Sequence, residues 1–328
     1  MKNKPTILQS KRNLIIRWFR IFLVVTVLSI IGVLIFTTGR DTLQAFRNFA
    51  PLYFLLALLV TAMFYYFELL RIQVLGHAMG KPISLRAASE FYFGGCFLTV
   101  VPTGVVGVPF QLYVLHRDGL NLGEAGNIII MRAILNVLIL PLLVPIILLE
   151  RELLRGRFVV RAGSYVGIIV LLLVILFIAF FFMPKRWARG KFSRVYNELQ
   201  KLRVAIKETF THGKLFFLLS FGITLLARCV FFTIPYVLFK GLGIDPPFVT
   251  TFVIQIILAY LLLFIPTPGS SGVAEAGGFG LWRFICPAHL LGLYVVIWRF
   301  YTGLLAMIIG GILILRLLYQ PKSDSTRS

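Results

Sequence analysis

The chain has 328 residues, of which 59% are apolar and only 14% charged, and its formal net charge is +21. A mean hydropathy of +0.92 excludes a soluble domain, because too few charges remain to cover a water-facing exterior. The basic surplus does not describe a nucleic-acid binder. It gathers in the N-terminal tail, in 185–214 and at the C-terminus, each beside an apolar run, and no nucleic-acid module accompanies it.

Apolar runs long enough to cross a bilayer, which takes roughly 18 residues or more, recur through the chain. In order they are 21–38, 51–70, 128–149, 163–183, 215–239 and 288–315. The tail before the first run carries Lys2, Lys4, Lys11, Arg12, Arg17 and Arg20, and no small-residue cleavage site follows the run. A retained signal-anchor is therefore expected. Cys96, Cys229 and Cys286 are isolated, and no Cys-x-x-Cys or His-x-x-x-His spacing occurs. No metal site, disulfide framework or cofactor is expected.

Charge parity predicts the topology. Segment 1–20 has six basic and no acidic residues, and 184–214 has nine basic residues against Glu198 and Glu208. Both are assigned to the cytoplasm, as is the C-terminus with Arg316, Lys322 and Arg327. Counting spans then puts 71–86 (Arg71, Lys81, Arg86) and 117–126 inside, so 87–116 must enter and leave by one face. By the same count 248–286 begins and ends outside. Segment 150–161, with four Arg against two Glu, falls outside and resists the rule.

Both anomalous segments hold helix breakers near their middles, Pro102-Thr103-Gly104 and Pro266-Thr267-Pro268-Gly269. Two re-entrant helical hairpins are expected, one from each face. The segments also resemble each other: Gly80 lies 22 residues before Pro102 and Gly243 lies 23 before Pro266. Arg132 follows Gly107 by 25 residues, and Arg299 follows Gly272 by 27. The expected fold is thus an all-α integral membrane protein of six full spans and two hairpins. It forms one domain, 1–318, with inverted repeats at about 50–149 and 215–318, a plan met in secondary transporters. The Trp187, Phe192, Val195, Leu199, Leu202, Ile206 and Phe210 spacing makes 185–214 a cytoplasmic amphipathic linker, and 319–328 a polar cytoplasmic tail.

Unwound backbone in hydrocarbon needs protein or water as a partner, so the breaks should border a cavity. A helix starting after Gly269-Ser270-Ser271-Gly272 would aim free N–H groups at an anion, although Gly and Pro there could equally serve hairpin geometry alone. Arg132, Arg228 and Arg299 lie within apolar runs, as do Glu68 and Glu275. Each costs at least about 2.5 kcal/mol at mid-membrane unless paired or wetted. A guanidinium suits phosphate. The rival reading is internal pairing, Glu275 with Arg299 or Arg228 and Glu68 with Arg71. Glu68–Arg71 is assigned to structure, and the central arginines, Arg299 above all, to the substrate.

The string Pro102-Thr-Gly-Val-Val-Gly-Val-Pro-Phe-Gln-Leu-Tyr, the later Arg132, and Pro266-Thr-Pro-Gly-Ser-Ser-Gly-Val-Ala-Glu275 resemble the membrane domain of lysylphosphatidylglycerol synthase/flippase proteins. The resemblance covers nearly the whole chain. The first motif departs from the commoner form, since Gln111 and Leu112 stand where a basic residue is often found. In bifunctional relatives this domain moves an aminoacylated phospholipid while a soluble domain transfers the amino acid. The resemblance implies lipid translocation in a cell inner membrane without synthase activity. Head groups would be handled by Arg132, Arg228, Arg299, Glu275, Gln111, and the turns at Pro102, Gly104, Gly107, Gly269, Ser270, Ser271 and Gly272. The expected partners are anionic or polyprenyl-linked lipids, with a homodimer or a partner membrane enzyme as the assembly. The alternatives are a lipid- or glycan-modifying membrane enzyme or its accessory, and a scaffold. Gly80-Lys81, Gly190-Lys191 and Gly213-Lys214 are never followed by Ser or Thr, so no nucleotide cradle supports an enzyme.

Overall fold

The computed structural model describes residues 50–98, 106–149, 214–263 and 273–319, with isolated positions between 16 and 28. These residues form helices α1 (Pro51–His77), α2 (Leu85–Ser89), α3 (Gly95–Leu98), α4 (Gly107–Arg117) and α5 (Leu122–Leu149) in the first half. The second half has α6 (Lys214–Gly241), α7 (Phe248–Leu263), α8 (Val273–Trp282), α9 (Ala288–Arg299) and α10 (Leu305–Tyr319). Single π turns at Glu90–Gly94 and Phe300–Leu304 join α2 to α3 and α9 to α10 into continuous rods. No strand occurs among the described residues.

Four helical stretches are long and apolar enough to cross a membrane: Pro51–His77, Leu122–Ile139, Lys214–Gly241 and Ala288–Leu317. They correspond to four of the expected spans. Runs 21–38 and 163–183, the linker 185–214 and the tail beyond Tyr319 lie outside the described residues. So do the two breaks, with Pro102, Gly104, Gly269, Ser270, Ser271 and Gly272. The described parts of the flanking helices reach Leu98 and Leu263 before them, and begin at Gly107 and Val273 after them.

Among the described residues each half has the same order: a long helix, a shorter helical stretch, a short helix and a second long helical stretch. The first turn matches in detail. Gly80 (φ 69°) and Gly243 (φ 74°) are left-handed, the conformation a helix C-cap reserves for glycine. In both turns the next amide reaches back five residues, Lys81 N to Gly76 O at 3.1 Å and Ile244 N to Phe239 O at 3.0 Å. In the first half the rod and the short helix are pinned at their outer ends. Asp118 accepts from the Ser84 amide at 2.8 Å and from its hydroxyl at 2.9 Å, and Lys81 meets Glu124 at 2.8 Å. Arg117 and Arg86 both pair with the buried Glu90.

Helices α1 and α6 form the centre and run antiparallel. The Ala50 amide donates to Gly241 O at 3.2 Å, Phe64 packs on Phe231, and Arg71 reaches Thr224. The outward face of α1 is apolar, with Leu52, Leu55, Leu59, Met63 and Tyr66 exposed. Its inward face holds Thr61, Glu68 and Arg71, none exposed at all. Polar inside and apolar outside is the arrangement expected of a helix whose solvent is lipid. Charge parity assigned Arg71 to a cytoplasmic loop, and that assignment is corrected: α1 continues past the apolar run 51–70 because the core neutralises Arg71.

Candidate functional site

Three long helices bring polar residues to one point, level with the middle of α6. On α1, Glu68 and Arg71 are one turn apart and share a face. Arg228 lies fourteen residues after the start of α6 and thirteen before its end, about 20 Å from either terminus at 1.5 Å per residue. On α5, Arg132 and Asn136 are one turn apart. Antiparallel pairing of α1 with α6 sets Glu68 opposite Arg228, and α5 closes the third side.

Glu68 is the hub. Its Oε2 accepts from Arg71 Nη2 at 2.5 Å and from Arg132 Nη2 at 3.2 Å, and its Oε1 from Arg228 Nη2 at 3.3 Å. Asn136 Oδ1 is a second acceptor, taking Arg71 Nη1 and Arg228 Nη2, both at 3.0 Å. Thr224 Oγ1 accepts from Arg71 Nη1 at 3.4 Å. Aromatic rings complete the walls: Arg132 lies over Phe91 and Tyr92, and Arg228 over Phe64. Such contacts stabilise a desolvated cation by about 2 kcal/mol.

Exposure separates the three arginines. The Arg71 side chain is wholly buried, whereas Arg132 and Arg228 keep 20% and 19% of theirs accessible. Arg71 thus acts as a fixed counter-charge, while the other two keep part of their side chains accessible.

Arg299 and Glu275 meet separately. Arg299 Nε is 3.6 Å from Glu275 Oε1, with the guanidinium over Gly303, where a Cβ would stand 3.0 Å from Arg299 Nη1. Of the two pairings open for Glu275 in the sequence, the structure forms the one with Arg299, and Arg228 takes Glu68 instead. Gln111 on α4 packs across Gly95 and donates weakly to Phe91 O at 3.5 Å, which joins the short helix to the rod. Gly107 opens α4 with free space around its Cα. Sequence reasoning paired Glu68 with Arg71 but missed that the pair gathers two further arginines, and it missed Asn136 and Thr224. A signal existed: Asn136 follows Arg132 by four residues and Thr224 precedes Arg228 by four, each on its arginine's face.

Long lipid-facing helices around a charged centre define a polytopic helical membrane protein. The chain matches the family described as lysylphosphatidylglycerol synthase TM region over residues 19–310, and it belongs to that family. It is 25% identical over 290 residues to a UPF0104 membrane protein of Archaeoglobus fulgidus, a match that covers 81% of this chain and 87% of that one. No solved structure matches.

Proposed function

We propose that this protein moves an anionic lipid across the cytoplasmic membrane, its head group passing the partly exposed side chains of Arg132 and Arg228. One observation carries the reading: three arginines share a single carboxylate at mid-helix depth. A purely structural ion pair needs one cation per anion. An unbalanced cation in low dielectric is costly, and a passing lipid phosphate would balance it. Arginine forks match phosphate oxygens.

The family's naming for a lysylphosphatidylglycerol synthase membrane region agrees with a lipid substrate. For the fold we propose six full spans, the two outside the described residues being 21–38 and 163–183, with both termini cytoplasmic. The rods 85–98 and 248–263, each with the short helix after it, are read as re-entrant hairpins. The pinned Ser84–Asp118 and Lys81–Glu124 ends support this for the first. Antiparallel α1 and α6, with like caps at Gly80 and Gly243, support an inverted relation of the halves. We assign Arg299 and Glu275 to neutralising each other rather than to the lipid.

The test is translocation of head-group-labelled phosphatidylglycerol in proteoliposomes. Arg228→Gln is expected to slow movement about tenfold or more, since a charge-assisted contact contributes about 1.5–3 kcal/mol. Unchanged movement by well-folded Arg228→Gln and Arg132→Gln variants would overturn the assignment.

A further inference from the structure

The charge balance of the cluster says more than that an anion fits. Arg71, Arg132 and Arg228 supply three positive charges and Glu68 one negative, an excess of two. The other described acidic residues are engaged elsewhere: Glu90 with Arg86 and Arg117, Asp118 with Ser84, Glu124 with Lys81, Asp245 with Lys240, and Glu275 with Arg299. Asp41, Glu150, Glu152, Glu198, Glu208 and Asp324 all fall between or beyond the apolar runs of the sequence.

Unused donors sit at the same place. Arg132 bonds the cluster through Nη2 alone, and its Nε is buried with no hydrogen-bond partner among the described residues. Among the described residues Arg228 likewise uses only Nη2, on Glu68 and Asn136. The Tyr260 hydroxyl is buried without a hydrogen-bond partner among the described residues, on a residue 4% exposed whose ring lies 6.5 Å from that of Phe232, one turn beyond Arg228 on α6. Buried donors left unmade are costly, and a ligand that accepts from them recovers that cost.

Resting on the lipid-anion reading above, we propose that the cluster is matched to a head group bearing two negative charges on one phosphate, a phosphomonoester-terminated lipid. A phosphodiester leaves one positive charge unbalanced and offers two free oxygens. A terminal phosphate balances both charges and offers three, one each for the Arg132 edge, the Arg228 edge and the Tyr260 hydroxyl.

The test uses the full chain in phosphatidylcholine nanodiscs at pH 8, where a phosphomonoester carries close to two charges. Binding of phosphatidic acid, phosphatidylglycerol and inorganic phosphate is compared by calorimetry. Phosphatidic acid is expected to bind about tenfold more tightly than phosphatidylglycerol or more, because the second charge acts at short range in a partly buried site. Arg132→Gln, which lowers the excess to one, is expected to bring phosphatidic acid to the level of phosphatidylglycerol while the latter still binds. Equal binding of both lipids to the unmodified protein overturns the charge match and leaves the lipid-anion reading standing. Binding of neither lipid defeats both. Inorganic phosphate binding as tightly as phosphatidic acid would make the site one for a free ion and overturn the lipid head group as its ligand.

Discussion

Glu68 and Arg228, 160 residues apart in sequence, meet at 3.3 Å because α1 and α6 pair antiparallel along their lengths. That register also separates the two arginines by burial: Arg71 is sealed by Thr224 of α6, while Arg228 keeps 19% of its side chain accessible. Removing the carboxylate leaves three cations without their shared counter-charge. Glu68→Gln is expected to lower stability by about 3–5 kcal/mol, the usual cost of stranding a buried charge. Adding Arg71→Met should recover much of it, since the most buried cation is then gone. Thermal unfolding in detergent reads both variants, and a Glu68→Gln protein as stable as the parent would contradict the hub.

Topology gives an independent check. Leu122 begins α5 at the pinned end of the first half, and Ile244 follows the cap glycine of the second. With Cys96, Cys229 and Cys286 replaced, Leu122→Cys is expected to label from the cytoplasm and Ile244→Cys from outside. Labelling of both from one side would rule out the inverted arrangement.

Gly310 marks where α10 crosses the π turn of the first half. A Cβ there would lie 2.0 Å from Phe93 O and 2.6 Å from Phe93 C, backbone atoms that cannot swing aside. Gly310→Ala should therefore push the two elements apart, at a cost of about 1–3 kcal/mol or more. Gly126→Ala, with nothing within 4 Å of the added carbon, is the control and should be nearly neutral. Equal melting temperatures for the two variants would remove the close approach at Phe93.

How much of this was legible is best judged residue by residue. Arg132 and Arg228 were visible as charges inside apolar runs, and Glu68–Arg71 as a pair one turn apart. Their convergence was not, because it depends on the α1–α6 register, which local periodicity does not encode. Helix ends were misjudged for a related reason. Apolar runs ended at Leu70 and began at Ile128, whereas α1 runs on to His77 and α5 starts at Leu122, where Asn121 and Glu124 cap each other. Hydropathy sees such residues as loop; hydrogen bonding makes them helix. Gly80 and Gly243 were legible as matching positions by their spacing to Pro102 and Pro266, whereas their left-handed caps came from the structure. The π turns at Glu90 and Phe300 left no signature in residue type.

The remaining charged pair separates a structural role from a ligand role. Sequence favours Arg299 as a lipid contact, since its counterpart Arg132 has Gln111 rather than an acid nearby. The geometry instead sets it 3.6 Å from Glu275, with 9% and 21% of the two side chains accessible. A pair of this kind contributes little net stability, because desolvation offsets attraction, yet breaking it strands a charge. Arg299→Gln and Glu275→Gln should each destabilise by about 3 kcal/mol or more, while the double variant should return most of the loss. Gly303→Ala offers a gentler version: its methyl would meet Arg299 Nη1 at 3.0 Å, and the flexible side chain should give way with a smaller loss. The cycle is measured by unfolding in detergent beside phosphatidylglycerol binding. Strong coupling in stability with binding unchanged is the expected pattern. If Arg299→Gln weakens lipid binding while leaving stability intact, and Glu275→Gln rescues nothing, Arg299 belongs to the lipid site and the assignment to structure is lost.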